Sequence, residues 1–245
     1  MVFILISNKK KDWNEFVFKT LENLIEYNNS HKNLCNIMLT GGDTANNLYR
    51  NWKNNFSKIK KNLNIFFTDE RCISKESHLS NYYNLVSNLY IKIPSHHKIL
   101  PIYNEDLSIN ENIKNYELLL PNFIDITVIT LGSGGHIASI FSKSDSNLKN
   151  KNLIYVNAPI KPHKRLSISI SYINKSKKIL LLVKGIEKAK ILNSFAENQL
   201  KNNFTMPISF LNRATILIDE IGYRYLTSQS LSFFNQNFQK KSTTS

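Results

Sequence analysis

The sequence predicts an α/β fold with a mainly parallel sheet covered by helices on both faces. Three observations predict it. Short runs rich in Ile, Leu and Val recur along the 245 residues, longer amphipathic stretches separate them, and glycines or small polar residues stand where run gives way to stretch. Strands that alternate with helices are joined by crossovers, which favours parallel pairing, and parallel sheets are buried on both faces.

In chain order, residues 2–6 form a short apolar run and read as a strand, and residues 13–27 read as an amphipathic helix. Residues 35–39 are the next strand, followed by a helix over 44–52 that starts just after two glycines. A strand at 63–67 runs into Thr68-Asp69-Glu70-Arg71, and helices follow at 80–89 and 113–120. The stretch 123–131, rich in Ile, Thr and Val, predicts a buried strand over 124–131. It ends in Leu131-Gly132-Ser133-Gly134-Gly135-His136, after which a short helix is expected. Strands at 153–156, 166–170 and 178–183, a helix at 186–200 and a strand at 215–218 complete the alternation. Residues 1–227 are expected to form one domain, because no strong linker interrupts them. The polar tail 228–245 is expected to fray.

The formal net charge of +14 comes from lysine clusters at Lys9, Lys10 and Lys11, around Lys58 and Lys61, around Lys175 and Lys178, and at Lys240 and Lys241. They are dispersed and read as solvated faces. Nucleic-acid binding needs such charge gathered on one surface with a recognisable module, so no nucleic-acid partner is expected. A positive surface does favour a small anionic substrate. No run of 18 apolar residues occurs, and the first residues lack the length and basic flank of a signal peptide. A cytoplasmic protein with no membrane partner is therefore expected. Cys35 and Cys72 fit no Cys-x-x-Cys or zinc spacing and read as free thiols. His31, His78, His96, His97 and His163 show no metal-ligand spacing. No metal and no cofactor is expected, and the oligomeric state is left open, a monomer included.

Four stretches carry chemistry. In Gly132 to His136, the glycines allow a sharp turn and a close backbone approach to a ligand. They leave His136 at the carboxyl end of a strand, where open α/β sheets bind ligands and where an imidazole suits proton transfer near neutrality. In Leu39-Thr40-Gly41-Gly42-Asp43-Thr44, two glycines before a helix start expose N–H groups at the positive end of the dipole, which suits a phosphate. The plain alternative is a turn with Asp43 or Thr44 as N-cap. Asp69-Glu70-Arg71 puts two carboxylates and a guanidinium on one rim, and arginine can hold a phosphate in a forked contact. The loop Ala158-Pro159-Ile160-Lys161-Pro162-His163-Lys164-Arg165 offers further cations. Three of these stretches follow strands and one precedes a strand, as a shared rim requires.

Taken in order, Gly41-Gly42-x-Thr44, Asp69-Glu70-Arg71 with Ser80-Asn81, and Leu131-Gly132 to Gly135-His136-x-Ala138-Ser139-x-Phe141 resemble the 6-phosphogluconolactonase family. So do Ala158-Pro159-x-Lys161-Pro162-x-x-Arg165-Leu166-Ser167, Gly185-x-x-Lys188-Ala189, Pro207 and Ala214-Thr215-x-Leu217-x-Asp219. The resemblance spans the chain to about Asp219. It implies a three-layer, Rossmann-like α/β sandwich and hydrolysis of 6-phosphogluconolactone in the oxidative pentose phosphate pathway. By position it implies a phosphate cradle of Gly41, Gly42, Asp43 and Thr44, with Arg71, Lys161 and Arg165 as cations. It also places Asp69, Gly134 and Gly135 at the substrate and makes His136 the general base. The runner-up readings are an amino-sugar-phosphate deaminase or isomerase of the same fold and a non-catalytic sugar-phosphate-binding protein. The chain departs from the family's Leu-Gly-x-Gly-x-Asp-Gly-His by being two residues shorter and lacking the aspartate. Asp69, Asp43 and Ser133 are the candidates to orient the histidine instead. Asp43 also stands where the family usually has serine.

Overall fold

The computed structural model describes residues 2–8, 12–28, 33–89, 94–142, 145 and 151–242. Lys9, Lys10, Lys11 and His31 lie outside them. The strands in chain order are β1 (Val2–Asn8), β2 (Leu34–Leu39), β3 (Asn62–Phe67), β4 (Asp69–Arg71), β5 (His97–Ile99), β6 (Ile126–Thr130), β7 (Leu153–Asn157), β8 (Lys164–Ile168), β9 (Lys178–Val183) and β10 (Arg213–Asp219). The helices are α1 (Trp13–Glu26), α2 (Asp43–Phe56), α3 (Asn81–Leu89), α4 (Ile109–Leu119), α5 (Ile170–Ile173), α6 (Ile186–Leu200), α7 (Glu220–Arg224) and α8 (Ser228–Ser242).

Seven strands form one parallel sheet in the order β1-β10-β9-β6-β2-β3-β5, flanked by helices in a three-layer α/β arrangement. The expected class holds, and its cause is visible in the strands. Ile37, Met38, Leu39, Ile65, Phe66, Phe67 and Leu180 to Val183 are all buried, as continuous apolar runs in a doubly covered sheet should be. The helices contribute single stripes: Trp13, Val17, Phe18, Leu21 and Ile25 from α1, and Ala45, Leu48, Tyr49, Trp52 and Phe56 from α2.

Four expectations are corrected. Asp69–Arg71 does not merely end β3. It leaves the main sheet as β4 and joins a small antiparallel sheet of order β4-β8-β7. His97, where no strand is expected, opens β5 beside β3, is buried, and packs 4.9 Å from the Phe56 ring. Residues 137–142, which directly follow His136, form no helix. A single 3-10 turn (Ser133–Gly135) precedes it, and Ile137 bridges to Ile140 with Ala138 at φ 50°. The tail does not fray from Ser228, because Leu231 and Phe234 recur at helical spacing. Phe234 is 1% exposed, with its ring 6.4 Å from Phe195 of α6.

Candidate functional site

From β2 the chain moves outward to β3 and β5, whereas from β6 it moves the other way to β9 and β10. The order reverses between β2 and β6, and ligands of open α/β sheets bind outside the carboxyl ends at such a point. A cavity of about 330 Å³ lies there. Thr40, Gly41 and Gly42 reach it from the end of β2, Asp69 and Arg71 from β4, and Gly132, Ser133 and His136 from the turn after β6. Asn81 of α3, Arg165 of β8, Ile160 before it, and Glu187, Lys188 and Ile191 of α6 complete the wall.

His136 is held by its own turn. Its Nδ1 lies 2.6 Å from the Ser133 carbonyl oxygen, which accepts but does not donate, so Nδ1 carries the proton and Nε2 is the basic nitrogen. The ring lies 4.6 Å from Phe141, and its Nε2 edge rests on Gly132, where a Cβ would fall 2.0 Å from Nε2. Burial pushes the imidazole below its ordinary value. The Ser133 bond and Asp69 oppose that shift, and Arg165 and Lys188 add to it. Ser133, through its carbonyl, thus does the orienting for which Asp69 and Asp43 were the other candidates.

Three cations, Arg71, Arg165 and Lys188, line the wall. Arg71 and Arg165 are directly opposite in the β4–β8 register, an arrangement of like charges that costs stability. Arg165 is 5% exposed, and burial followed by Arg71 lowers its pKa. Its guanidinium donates to the carbonyls of Pro162 at 3.0 Å and Ile160 at 3.4 Å. Arg71 donates to the Leu79 carbonyl and to Asn81 Oδ1, and its buried Nε has no partner among the described residues. Burial brings Lys188 down to about 8, with Asp43 working against it. Among the described residues none of these three cations makes an ion pair. Partly desolvated positive charge without a direct ion pair at a cavity wall is what a phosphate would relieve.

Scaffold residues fix these positions. Glu70 is 3% exposed and accepts from the N–H groups of Arg71, Asn81 and Tyr82 and from Ser80 Oγ, binding β4 to the start of α3. Burial raises its pKa, and those four bonds oppose the rise. Asn81 Nδ2 donates to the Asp69 carbonyl at 2.8 Å, and its side chain lies on Gly41, where a Cβ would fall 1.8 Å from Oδ1. Gly41→Ala therefore dislodges Asn81 and with it Arg71. The expected result is a loss of about 1–3 kcal/mol, read as a lowered Tm, together with weaker binding of phosphorylated ligands.

The structure thus brings Gly41, Gly42, Asp69, Arg71, His136 and Arg165 together. It does not bring all the expected residues to the wall. Gly42, at φ 94°, is the N-cap of α2 and no side chain caps that helix, so Asp43 is its exposed first residue rather than its cap. Thr44 stays in the first turn, away from the cavity lining. Gly134 and Gly135, at φ 70° and 77°, shape the turn without lining the cavity. Lys161 is exposed while its neighbour Ile160 faces the cavity. Asn81 and Lys188 were not singled out as site residues. The signal for Lys188 was Gly185-x-x-Lys188, since Gly185 at φ 82° caps α6 and puts Lys188 in its first turn. Among the described residues no group of three or more His, Cys, Asp or Glu is placed to hold a metal ion, and no helix is long and apolar enough to cross a membrane.

The family described as glucosamine-6-phosphate isomerases/6-phosphogluconolactonase matches residues 8–218. A probable 6-phosphogluconolactonase of Dictyostelium discoideum is 27% identical over 209 residues, which are 80% of this chain and 87% of that protein. The human GDH/6PGL endoplasmic bifunctional protein is 29% identical over 139 residues, 52% of this chain, and the match spans 18% of that longer protein. In fold, the solved 6-phosphogluconolactonase of Thermotoga maritima is similar at a TM-score of 0.75 and 23% identity, covering 89% of this chain and all of its own.

Proposed function

Because the chain belongs to the glucosamine-6-phosphate isomerase/6-phosphogluconolactonase family, we propose that it hydrolyses 6-phospho-D-glucono-1,5-lactone to 6-phosphogluconate, with His136 as general base. The observation that carries the reading is an imidazole tied through Nδ1 to Ser133, set in one cavity with three cations that make no ion pair among the described residues. Neutral Nε2 takes a proton from water, and the hydroxide adds to the lactone carbonyl. The tetrahedral oxyanion collapses with cleavage of the bond to the ring oxygen, which receives the proton back from the imidazolium. Nearby positive charge offsets the developing oxyanion. Arg71, Arg165 and Lys188 take the phosphate, together with the uncapped N–H groups of α2. A lactone is reactive enough that positioning and one base suffice.

The reading is tested with freshly generated 6-phosphogluconolactone and, separately, with glucosamine 6-phosphate. Acid release from the first above the spontaneous rate, without ammonia from the second, is expected. Ammonia from the amino sugar with no added lactone hydrolysis would overturn it in favour of the deaminase reading.

The pH profile follows from the same groups. Protonated His136 is no base, and burial holds its pKa below the ordinary 6.5, so a larger share of the base form persists at pH values where an ordinary histidine is already half protonated. Above about 8 Lys188 loses its charge, and phosphate affinity falls. The expected kcat/KM is a plateau between these limits. An NMR titration of His136, which is free of the substrate's own phosphate ionisation, checks the acid limb. An imidazole midpoint above 6.5 would contradict it.

A further inference from the structure

One buried hydroxyl behind the cavity wall has no part in the mechanism above. Ser139 is fully buried, three residues beyond His136, in the tight turn where Ala138 sits at φ 50°. Its N–H donates to Ser167 Oγ at 3.2 Å, which fixes its backbone to β8. Its Oγ donates to Asp69 Oδ2 at 2.6 Å and accepts from Arg165 Nη1 at 3.4 Å. The other carboxylate oxygen of Asp69 accepts from Thr68 Oγ1 at 2.9 Å. Asp69 is 5% exposed and close enough to Arg165 to stabilise its charge, yet it forms no ion pair with Arg165 or Arg71 among the described residues. A buried carboxylate and a buried guanidinium so close normally pair directly, because each thereby offsets the other's desolvation. Here a hydroxyl stands between them.

We propose that Ser139 is a positioning residue that holds Asp69 off Arg165, so that the guanidinium stays available to the phosphate of the substrate. The hydroxyl gives the carboxylate the hydrogen bond it needs and presents its lone pair to Arg165, satisfying both groups without joining them. Without that oxygen, Asp69 and Arg165 close on each other and the cationic wall loses one of its charges. The inference rests on the phosphate-binding reading of the cavity, and it adds a residue that reaches the substrate only through Arg165.

The test measures binding of 6-phosphogluconate by calorimetry, without turnover, to wild type, Ser139→Ala, Asp69→Asn and the double variant, with thermal melts to confirm folding. Ser139→Ala is expected to bind about tenfold more weakly, less than removal of the Arg165 charge itself, because the phosphate still competes with Asp69 for the guanidinium. In the double variant the asparagine amide cannot neutralise Arg165, so affinity should return to that of Asp69→Asn alone. A purely structural role for Ser139 predicts no such recovery. Unchanged affinity in Ser139→Ala, or weakened affinity that the second substitution does not restore, would overturn the proposal. Should wild type itself fail to bind 6-phosphogluconate, the functional reading fails first, and that outcome is visible before any variant is compared.

Discussion

His136→Ala is expected to lower kcat for 6-phosphogluconolactone by about a hundredfold to ten-thousandfold, the range for removal of a positioned general base. The variant should fold normally. The ring is only partly buried and contributes one local hydrogen bond and a contact with Phe141, so its loss removes little of the core. Binding of 6-phosphogluconate should survive, because Arg71, Arg165 and Lys188 are untouched. His136→Asn adds a control, as it keeps a polar group beside Ser133 but has no basic nitrogen. Steady-state rates corrected for spontaneous hydrolysis check both variants. Wild-type kcat in either would remove His136 from the chemistry.

The second large effect is expected from Arg165→Met, which keeps much of the side-chain volume and removes the charge. KM for the phosphorylated lactone should rise about a hundredfold, and kcat should change far less, because a buried, charge-assisted contact to a dianion is lost. Arg165 faces Arg71 across the β4–β8 pair, so a bound phosphate relieves repulsion that the empty cavity bears. Ligand should therefore raise the Tm of wild type and barely move that of the variant, which a melt with and without 6-phosphogluconate reads directly. Equal ligand-induced shifts in the two proteins would place the phosphate elsewhere.

Much of this was legible in the sequence, for identifiable reasons. β2, β3, β6 and β9 announce themselves because a strand buried on both faces is a continuous apolar run. β4 and β5 do not, since three residues are too few to show a period, and β4 departs from β3 after Thr68 alone. Helix α4 starts at Ile109 rather than 113. The Ser108-x-x-Glu111 capping box marks that start, with both reciprocal bonds formed. In the site, Gly41, Asp69, Arg71 and His136 could be found because each stands just beyond the end of a strand, a place the topology makes a rim. Side-chain direction is not written in order along the chain. Lys161 and Ile160 are neighbours in one loop, and it is the isoleucine that faces the cavity. Lys188 reads as a solvated lysine until α6 packs it inward. Ser139 stands out in the sequence only as part of a motif, because its two side-chain partners lie 70 and 26 residues away.

The most direct measurement is the rate at which purified protein consumes freshly generated 6-phosphogluconolactone, followed by proton release with spontaneous hydrolysis subtracted. The account predicts a rate above background that grows in proportion to protein concentration and saturates with lactone. A folded protein that binds 6-phosphogluconate and yet adds nothing to the spontaneous rate would contradict it, leaving a sugar-phosphate-binding protein in place of an enzyme.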